Sequence, residues 1–306
     1  MSKSDNLHSH RNFNLVITHP GVFHADDVCA VAWMQITGVE APVERRIPTP
    51  EELENPEVMV IDVGGQHDPV HHNYDHHQRG GAGERWDVGV PYAAFGLVYD
   101  MFQPRSFAVG KRLEERIVLP VDAADCGWGT REGTRPELSF SAVISSFNPG
   151  PSASPQERNV AFREAVGFAR RVIENELRSA EEFVAAEEEV VGARTELDGR
   201  VLVLENFVPW AKHLYRRPDE AGILYVIFPS ERGGFCLQQV PISAESFEGR
   251  KPLPEAWAGL RGEELKQLLE LSSASGGDAT FCHPGRFIGG AESFEDTLRM
   301  AELALS

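Results

Sequence analysis

Cysteine is scarce in this chain. Four occur in 306 residues, Cys29, Cys126, Cys236 and Cys282, far apart and with no C-x-x-C pair. That spacing speaks against a zinc knuckle and a disulfide framework, and it fits a reducing compartment. Positive charge is scarce too: 29 lysines and arginines face 47 aspartates and glutamates, a net charge of -18. So acidic a chain is not expected to coat long duplex DNA, because counterion release needs many cations on one surface. A short anionic substrate remains open to it if metal ions stand between phosphate and carboxylates. No apolar run approaches the length of a membrane span, and the opening MSKSDNLHSHRN has no hydrophobic core of a secretory signal, so a cytoplasmic protein without a membrane partner is expected. H-E-x-x-H, the P-loop G-x-x-x-x-G-K-[ST] and G-x-S-x-G are all absent, as is any internal repeat. A zinc protease, a P-loop NTPase and a serine hydrolase lose their motifs with them. His24-Ala25-Asp26 echoes the deaminase H-x-E, but its partner P-C-x-x-C is missing.

Histidine is what the chain concentrates. Of its eleven, His67, His71, His72, His76 and His77 fall in one short stretch that follows the apolar run VMVIDVGG. The stretch is internal, which rules out a purification tag.

The length exceeds what one compact core usually organises, so two lobes are expected. FNLVITH (13–19) reads as a strand ending in a histidine, DDVCAVAWMQITG as a helix with acids at its start, and VMVIDVGG as a second strand. VPYAAFGLVYDMF (90–102) and KRLEERIVLPVDAAD (111–125) read as helices. Alternating strands and helices predict an α/β fold with a mainly parallel sheet covered on both faces, its ligands beyond the carboxyl ends of the strands, where His19 and Asp62 fall. The Pro-, Ser- and Gly-rich SFNPGPSASPQE (146–157) places the boundary, giving lobes 1–150 and 151–306. Ser154-Pro155-Gln156-Glu157 has the form of a helix start and opens a long linking helix. RVLVLENF, ILYVIFP and GFCLQQVPI then read as strands of a smaller mixed α/β lobe, followed by a helical EELKQLLELS and a terminal helix from Ser293.

Three clusters of imidazole and carboxylate fall in the first lobe: His19-x4-His24-x-Asp26-Asp27, then Asp62, then Asp75-His76-His77. VDAADCG adds Asp122 and Asp125. This blend suits two Mn²⁺ or similar octahedral ions such as Mg²⁺ better than structural zinc. Two ions roughly 3.5–4 Å apart can share a hydroxide and clamp a phosphoryl oxygen for in-line attack. Taken singly, Asp26 and Asp27 could merely cap a helix and Asp62 could form a turn. Their joint placement in β-loop-α context favours a site. His8 and His10 read as tail residues, and His67, His71 and His72 as loop groups.

THPGVFHADDVCA, VIDVGGQHDP, NYDHHQRG, FGLVYDMF, VDAADCG, PWAKHLY, PLPEAWAGLRGEEL and FCHPGRFIGG, in that order, resemble the MYG family of DHH-type metal-dependent phosphoesterases, from about Leu15 to the C-terminus. The resemblance implies a DHH-type catalytic domain, a linking helix and a substrate-binding lobe. It also implies activity like that of eukaryotic MYG proteins, described as 3′-5′ RNA exonucleases, or of related Mn²⁺ pyrophosphatases. By position, His19, His24 and Asp62 would hold one metal, and Asp26, Asp62, His76 and Asp122 the other, with Asp62 bridging. Asp122 and Asp125 compete for the last place; Asp122 is preferred because it follows IVLPV directly. His77 would face substrate, and Asp75, Asp27 and Asp125 would stand behind the ligands. The wider superfamily has an aspartate where this chain has His24, so metal preference need not transfer.

In the second lobe the resemblance points to His283, Arg286, Gly289 and Gly290 as phosphate contacts, with Arg79 a further candidate from the first. A tight turn packed by Phe287 is the simpler reading of that glycine segment. Trp210 and Tyr215 could stack a base, although core positions are commoner beside a proline. The leading expectation is a dinuclear phosphodiesterase acting on short RNA or small nucleotides, with a homodimer open to it. A small-phosphate hydrolase resembling a pyrophosphatase, and a non-catalytic metal-binding regulator, are the alternatives.

Overall fold

The computed structural model describes residues 13–129, 139–244, 246–271 and 280–306; His8 and His10 lie outside them. Contacts divide the chain into two compact units, Met1–Glu181 and Glu182–Ser306.

The first unit is built on a five-stranded sheet, ordered β2-β1-β3-β5-β4. Its strands are β1 (Leu15–Thr18), β2 (Val43–Arg45), β3 (Val58–Ile61), β4 (His67–Asp68) and β5 (Asn73–Tyr74). β1, β2, β3 and β5 run parallel, and only β4 is antiparallel, pairing with β5 at the edge. All four residues of β3 are buried, the continuous apolar run of a strand covered on both faces. The larger core lies on one face under α1 (Ala25–Ile36), and every residue from Ala25 to Met34 is buried there. The other face carries a smaller cluster, Ile17, Val58, Val60 and Val63, beneath Leu53 of α2 (Pro50–Leu53).

α3 (Ala94–Met101), α4 (Phe107–Leu113), α5 (Leu119–Asp125) and α6 (Phe140–Ser145) complete this core. The segment expected as one helix over 111–125 is not uniform: Glu114–Val118 forms a π-helical stretch between α4 and α5. Pro120 lies just after it, and because proline offers no N–H the α-helical ladder cannot run through unbroken.

α7 (Pro155–Gly192) begins as expected, with the Glu157 carboxylate accepting from Ser154 N at 2.7 Å. Its early turns place Phe162, Ala165, Val166, Ala169 and Ile173 in the first unit's core, where Phe162 meets Phe23 edge-on at 5.6 Å. The contact boundary therefore falls inside α7, at Glu181, and 146–157 is the approach to a helix packed on the same core.

The second unit has a six-stranded sheet, ordered β10-β11-β9-β8-β7-β6. Its elements are β6 (Thr195–Glu196), β7 (Val201–Val203), α8 (Ala211–Leu214), β8 (Tyr225–Pro229), β9 (Phe235–Gln239), α9 (Gly262–Leu269), β10 (Phe281–Cys282), β11 (Ile288–Ala291) and α10 (Phe294–Leu305). Only β7 and β8 pair in parallel, so the sheet is mixed, as read from the sequence. Strand alternation sends Leu237 to one face with Leu265 of α9 and Met300 of α10, and Cys236 to the other with Phe228, Leu202 and Trp210. The cysteines are free thiols, and among the described residues no helix is long and apolar enough to cross a membrane.

Candidate functional site

Three parallel strands end at one place. β1 leads to His19, β3 to Asp62 and β5 to Asp75-His76-His77, the carboxyl edge where ligands of such sheets bind. The loop from His19 to His24 is held from two sides. Asn148 clamps the backbone of the buried Phe23, its Oδ1 accepting from Phe23 N at 3.0 Å and its Nδ2 donating to Phe23 O at 2.8 Å. Arg45 donates to Gly21 O at 2.9 Å. His24 then caps α1: its backbone N–H donates to Asp27 Oδ1 at 2.9 Å, the acid-facing helix start read from the sequence. Asp26 and Asp27 are fully buried in that first turn.

Asp62 sits at φ 56°, a left-handed conformation uncommon outside glycine, and strain of this kind gathers at functional sites. Gly64 and Gly65 follow it, and Gly65 N donates to Asp75 Oδ2 at 2.6 Å. Asp75 Oδ1 meanwhile accepts from His77 N at 3.0 Å and from His77 Nδ1 at 2.8 Å. Burial alone would raise the Asp75 carboxyl, but these donors hold it below its ordinary range. With Nδ1 engaged, His77 turns a side chain that is 59% exposed toward solvent.

Around these loops the acids and imidazoles face one another. His19 Nε2 lies 3.1 Å from Asp27 Oδ2 and 3.4 Å from Asp62 Oδ2. His76 Nε2 lies 3.3 Å from Asp125 Oδ2, 3.4 Å from Asp62 Oδ1 and 3.7 Å from Asp26 Oδ2. Yet His19 Nε2, His76 Nε2, Asp27 Oδ2 and both carboxylate oxygens of Asp26 and Asp62 are buried without a partner in hydrogen-bonding geometry. Orphaned polar atoms are rare inside proteins, and so many converging on one point fit a bound cation. Ligand atoms within 4.8 Å of one another form the overlapping groups His19-His24-Asp62, Asp62-His76-His77, His24-Asp26-Asp125 and His76-Asp125-Cys126. Asp62 turns Oδ2 to His19 and Oδ1 to His76, which suits a bridging ligand.

Electrostatics report the same crowding. Burial would push the His19 imidazole down, but Asp27 and Asp62 outweigh it and raise it to about 9. His76 is raised to about 11 by Asp125 and Asp62, again against burial. Burial, then neighbouring carboxylates, raise Asp26 well above its ordinary value, and Asp62 is raised chiefly by burial.

Of the two acids that compete for the last place, Asp125 falls within the clustered groups and Asp122 faces Arg85. Asp122 Oδ1 accepts from Gly96 N at 3.0 Å, and its Oδ2 lies 2.9 Å from Arg85 Nη1, close enough for an ion pair although outside hydrogen-bonding geometry. Burial still pushes its carboxyl up to about 7. Asp125, one turn on, faces His76 and His24 in its stead. The pair explains Gly96, where a Cβ would stand 2.0 Å from Asp122 Oδ2. Asp27, expected behind the ligands, reaches His19 directly. Arg79 is exposed in the turn after His77, with no ion pair among the described residues.

In the second unit Gly289 and Gly290 lie within β11, paired on both sides with β9 and β10, so their backbone groups serve the sheet, not a phosphate. Gly289 is small because a Cβ would come within 2.8 Å of Phe281 O. Arg286 takes φ 59° in the preceding turn, and His283 Nδ1 accepts from Gly285 N at 2.9 Å. Trp210 is buried, and Tyr215 donates to Pro241 O at 2.6 Å under the Arg250 guanidinium. His71 pairs with Asp68 at 2.6 Å, and His67 lies in β4 beside Tyr74. Reasoning from sequence missed Arg85, Asn148 and Cys126, whose Sγ lies 3.8 Å from His76 Nδ1. Only the proximity of Cys126 to Asp125 in VDAADCG hinted at any of these.

A family model described as an uncharacterised protein family (UPF0160) and labelled MYG1_exonuc matches residues 15–305. The chain is 31% identical over 330 residues to the MYG1 exonuclease of Bos taurus, covering 94% of this chain and 84% of that one. It is 29% identical to the Homo sapiens MYG1 exonuclease, with 94% and 85% covered. Against a MYG1 protein of Schizosaccharomyces pombe it is 28% identical, with 96% and 98% covered. No solved structure matches the chain.

Proposed function

Because the chain belongs to the MYG1 exonuclease family and is a hydrolytic enzyme of exonuclease type, we propose that it is a DHH-type, dinuclear Mn²⁺-dependent phosphodiesterase that trims short RNA from its 3′ end in the cytoplasm. The observation that carries this reading is the set of buried, unpartnered nitrogen and oxygen atoms of His19, Asp26, Asp27, Asp62 and His76. His19, His24 and Asp62 would hold one ion; Asp26, Asp62, His76 and Asp125 the other. When bound, such ions supply charge that polarises a phosphoryl oxygen and makes water acidic enough to react near neutral pH.

The chain's own residues do the remaining work. The Asp75 carboxylate fixes the His77 ring through Nδ1, leaving Nε2 to donate a proton to the departing ribose oxygen. Exposed Arg79, two residues on, is placed to meet a phosphate through its guanidinium. Asn148 and Arg45 hold the loop that carries His19 and His24, so the ligand frame exists before substrate arrives.

The test is a 5′-labelled oligoribonucleotide a few residues long, incubated with and without Mn²⁺, with pyrophosphate as a parallel substrate. Stepwise shortening from the 3′ end that needs Mn²⁺ and disappears in Asp62→Asn supports the reading. Equal traces from wild type and variant overturn it, and turnover of pyrophosphate alone reassigns the substrate.

A further inference from the structure

His76 is held at both ring nitrogens, and the two partners are neighbours in sequence. Its Nε2 lies 3.3 Å from Asp125 Oδ2, on the side where the unpartnered oxygens of Asp26 and Asp62 gather. Its Nδ1 lies 3.8 Å from Cys126 Sγ, within hydrogen-bonding reach of an atom as large as sulfur. Asp125 is the last residue of α5 and Cys126 is its C-cap. One helix end therefore addresses opposite edges of the same imidazole.

The proton of the thiol has somewhere to go. Cys126 Sγ donates toward Tyr92 O at 3.7 Å and Pro91 O at 3.9 Å, carbonyls of the segment that leads into α3. That segment is itself fixed, with Tyr92 N donating to Gly83 O at 3.0 Å and the Arg85 guanidinium 4.2 Å from the Tyr92 ring centre. A thiol is a weak donor and a weak acceptor. With its hydrogen turned to these carbonyls, the sulfur presents lone pairs to His76, and Nδ1 is the nitrogen that carries hydrogen to meet them. Nε2 is then left with a lone pair, aimed at the buried carboxylates. Metal-binding imidazoles commonly have such a partner behind them, usually a carboxylate or a carbonyl. His77 shows the usual kind in the next residue, where the Asp75 carboxylate takes Nδ1 at 2.8 Å.

We propose that Cys126 is a positioning residue of the metal centre, its sulfur accepting from His76 Nδ1 and so fixing the tautomer in which Nε2 offers its lone pair to an ion. The inference rests on the metal-centred reading, which assigns His76 Nε2 to a metal. Ligand atoms of His76, Asp125 and Cys126 also lie within 4.8 Å of one another, so direct ligation by sulfur is the rival that the test must separate.

Titration calorimetry of the full chain with Mn²⁺ compares wild type with Cys126→Ser, Cys126→Ala and Cys126→Val. Serine keeps an acceptor and loses size, whereas valine keeps size and loses the acceptor. Affinity should stay near wild type in the serine variant and fall by about tenfold in the other two, the lower end of the range for partners behind metal ligands. Nitrogen-15 NMR of Mg²⁺-loaded wild type, a readout that packing alone does not move, should show His76 protonated at Nδ1 and bare at Nε2. The proposal is overturned if all four proteins bind Mn²⁺ equally, if valine matches wild type while serine falls with alanine, or if Nδ1 carries no proton. A thiolate-to-metal charge-transfer absorption in Co²⁺-loaded wild type also overturns it, because sulfur would then be a ligand. Wild type that binds no Mn²⁺ at all is a different result, which brings down the metal-centred reading and this inference with it.

Discussion

The two units solve opposite problems with the same acidic chain. At the strand ends of the first, carboxylates and imidazoles are pressed together with their oxygen and nitrogen atoms unpartnered; on the sheet face of the second, arginines and rings line an open cavity. One arrangement offers a cation its ligands, and the other presents guanidinium groups and rings. Net charge describes neither, because what a site attracts depends on the few groups that face it. The sharpest way to break this comparison is Asp62→Asn. Hydrolysis should fall by about 10³-fold or more, since several kcal/mol of transition-state stabilisation go with a bound ion. Hydrolysis unchanged in the variant would mean that the orphaned cluster is not the reacting centre.

Within the first unit, Asp122 and Asp125 repeat the contrast one helical turn apart. Asp122 is matched to Arg85, whereas Asp125 is turned toward His76. Asp122→Ala leaves a buried guanidinium without that partner and should destabilise the fold by about 3–5 kcal/mol, read as a lower urea midpoint, with Mn²⁺ affinity retained in the folded fraction. Asp125→Ala should instead weaken Mn²⁺ binding, with a loss of metal-free stability smaller than that of Asp122→Ala and confined to its contact with His76. If the two variants exchange these phenotypes, Asp122 is the ligand and Asp125 the structural acid.

pH gives a further handle on the first unit. In metal-free protein His19 is raised from 6.5 to about 9 and His76 higher still. Groups raised on folding contribute stability in full below their unfolded value and lose it as pH rises through the folded one. Metal-free protein should therefore melt at a lower temperature at pH 9 than at pH 6.5, and the Mn²⁺-induced rise in Tm should grow over the same interval as fewer protons need displacing. A Tm increment independent of pH would place the ions elsewhere.

Much of the first site is legible in the sequence, because His19, Asp62 and His76 follow apolar runs that the sheet makes parallel, and strand ends converge by topology. The choice between Asp122 and Asp125 is not legible there. It depends on Arg85, distant along the chain, and on a π-helical stretch at Glu114–Val118 that turns α5 away from the facing of a continuous α-helix. Gly289 and Gly290 resemble a phosphate loop in sequence and are strand in the fold, since what excludes a side chain at Gly289 is Phe281 O on the neighbouring strand, a contact no local pattern encodes. The second unit's cavity is only half legible for the same reason: Arg261 and His283 lie in quoted segments far apart along the chain, whereas Phe207 and Arg232 belong to none, and only the fold brings the four to one cavity.

Asn148 belongs to the same class and yields the smallest effect. It sits in a Pro-, Ser- and Gly-rich stretch that reads as a linker, yet its side chain makes both hydrogen bonds of the Phe23 backbone, 125 residues away. Phe23 immediately precedes His24, so Asn148→Ala should loosen the loop between His19 and His24 without touching a ligand. Partners behind metal ligands are worth about 10–100-fold in affinity, and a loss of Mn²⁺ affinity in that range is expected. Asn148→Asp should not rescue, because the carboxylate accepts from Phe23 N but has no donor for Phe23 O. If both variants bind Mn²⁺ as wild type does, the loop is held by Arg45 and α1 alone, and preorganisation of the ligands does not reach back to Asn148.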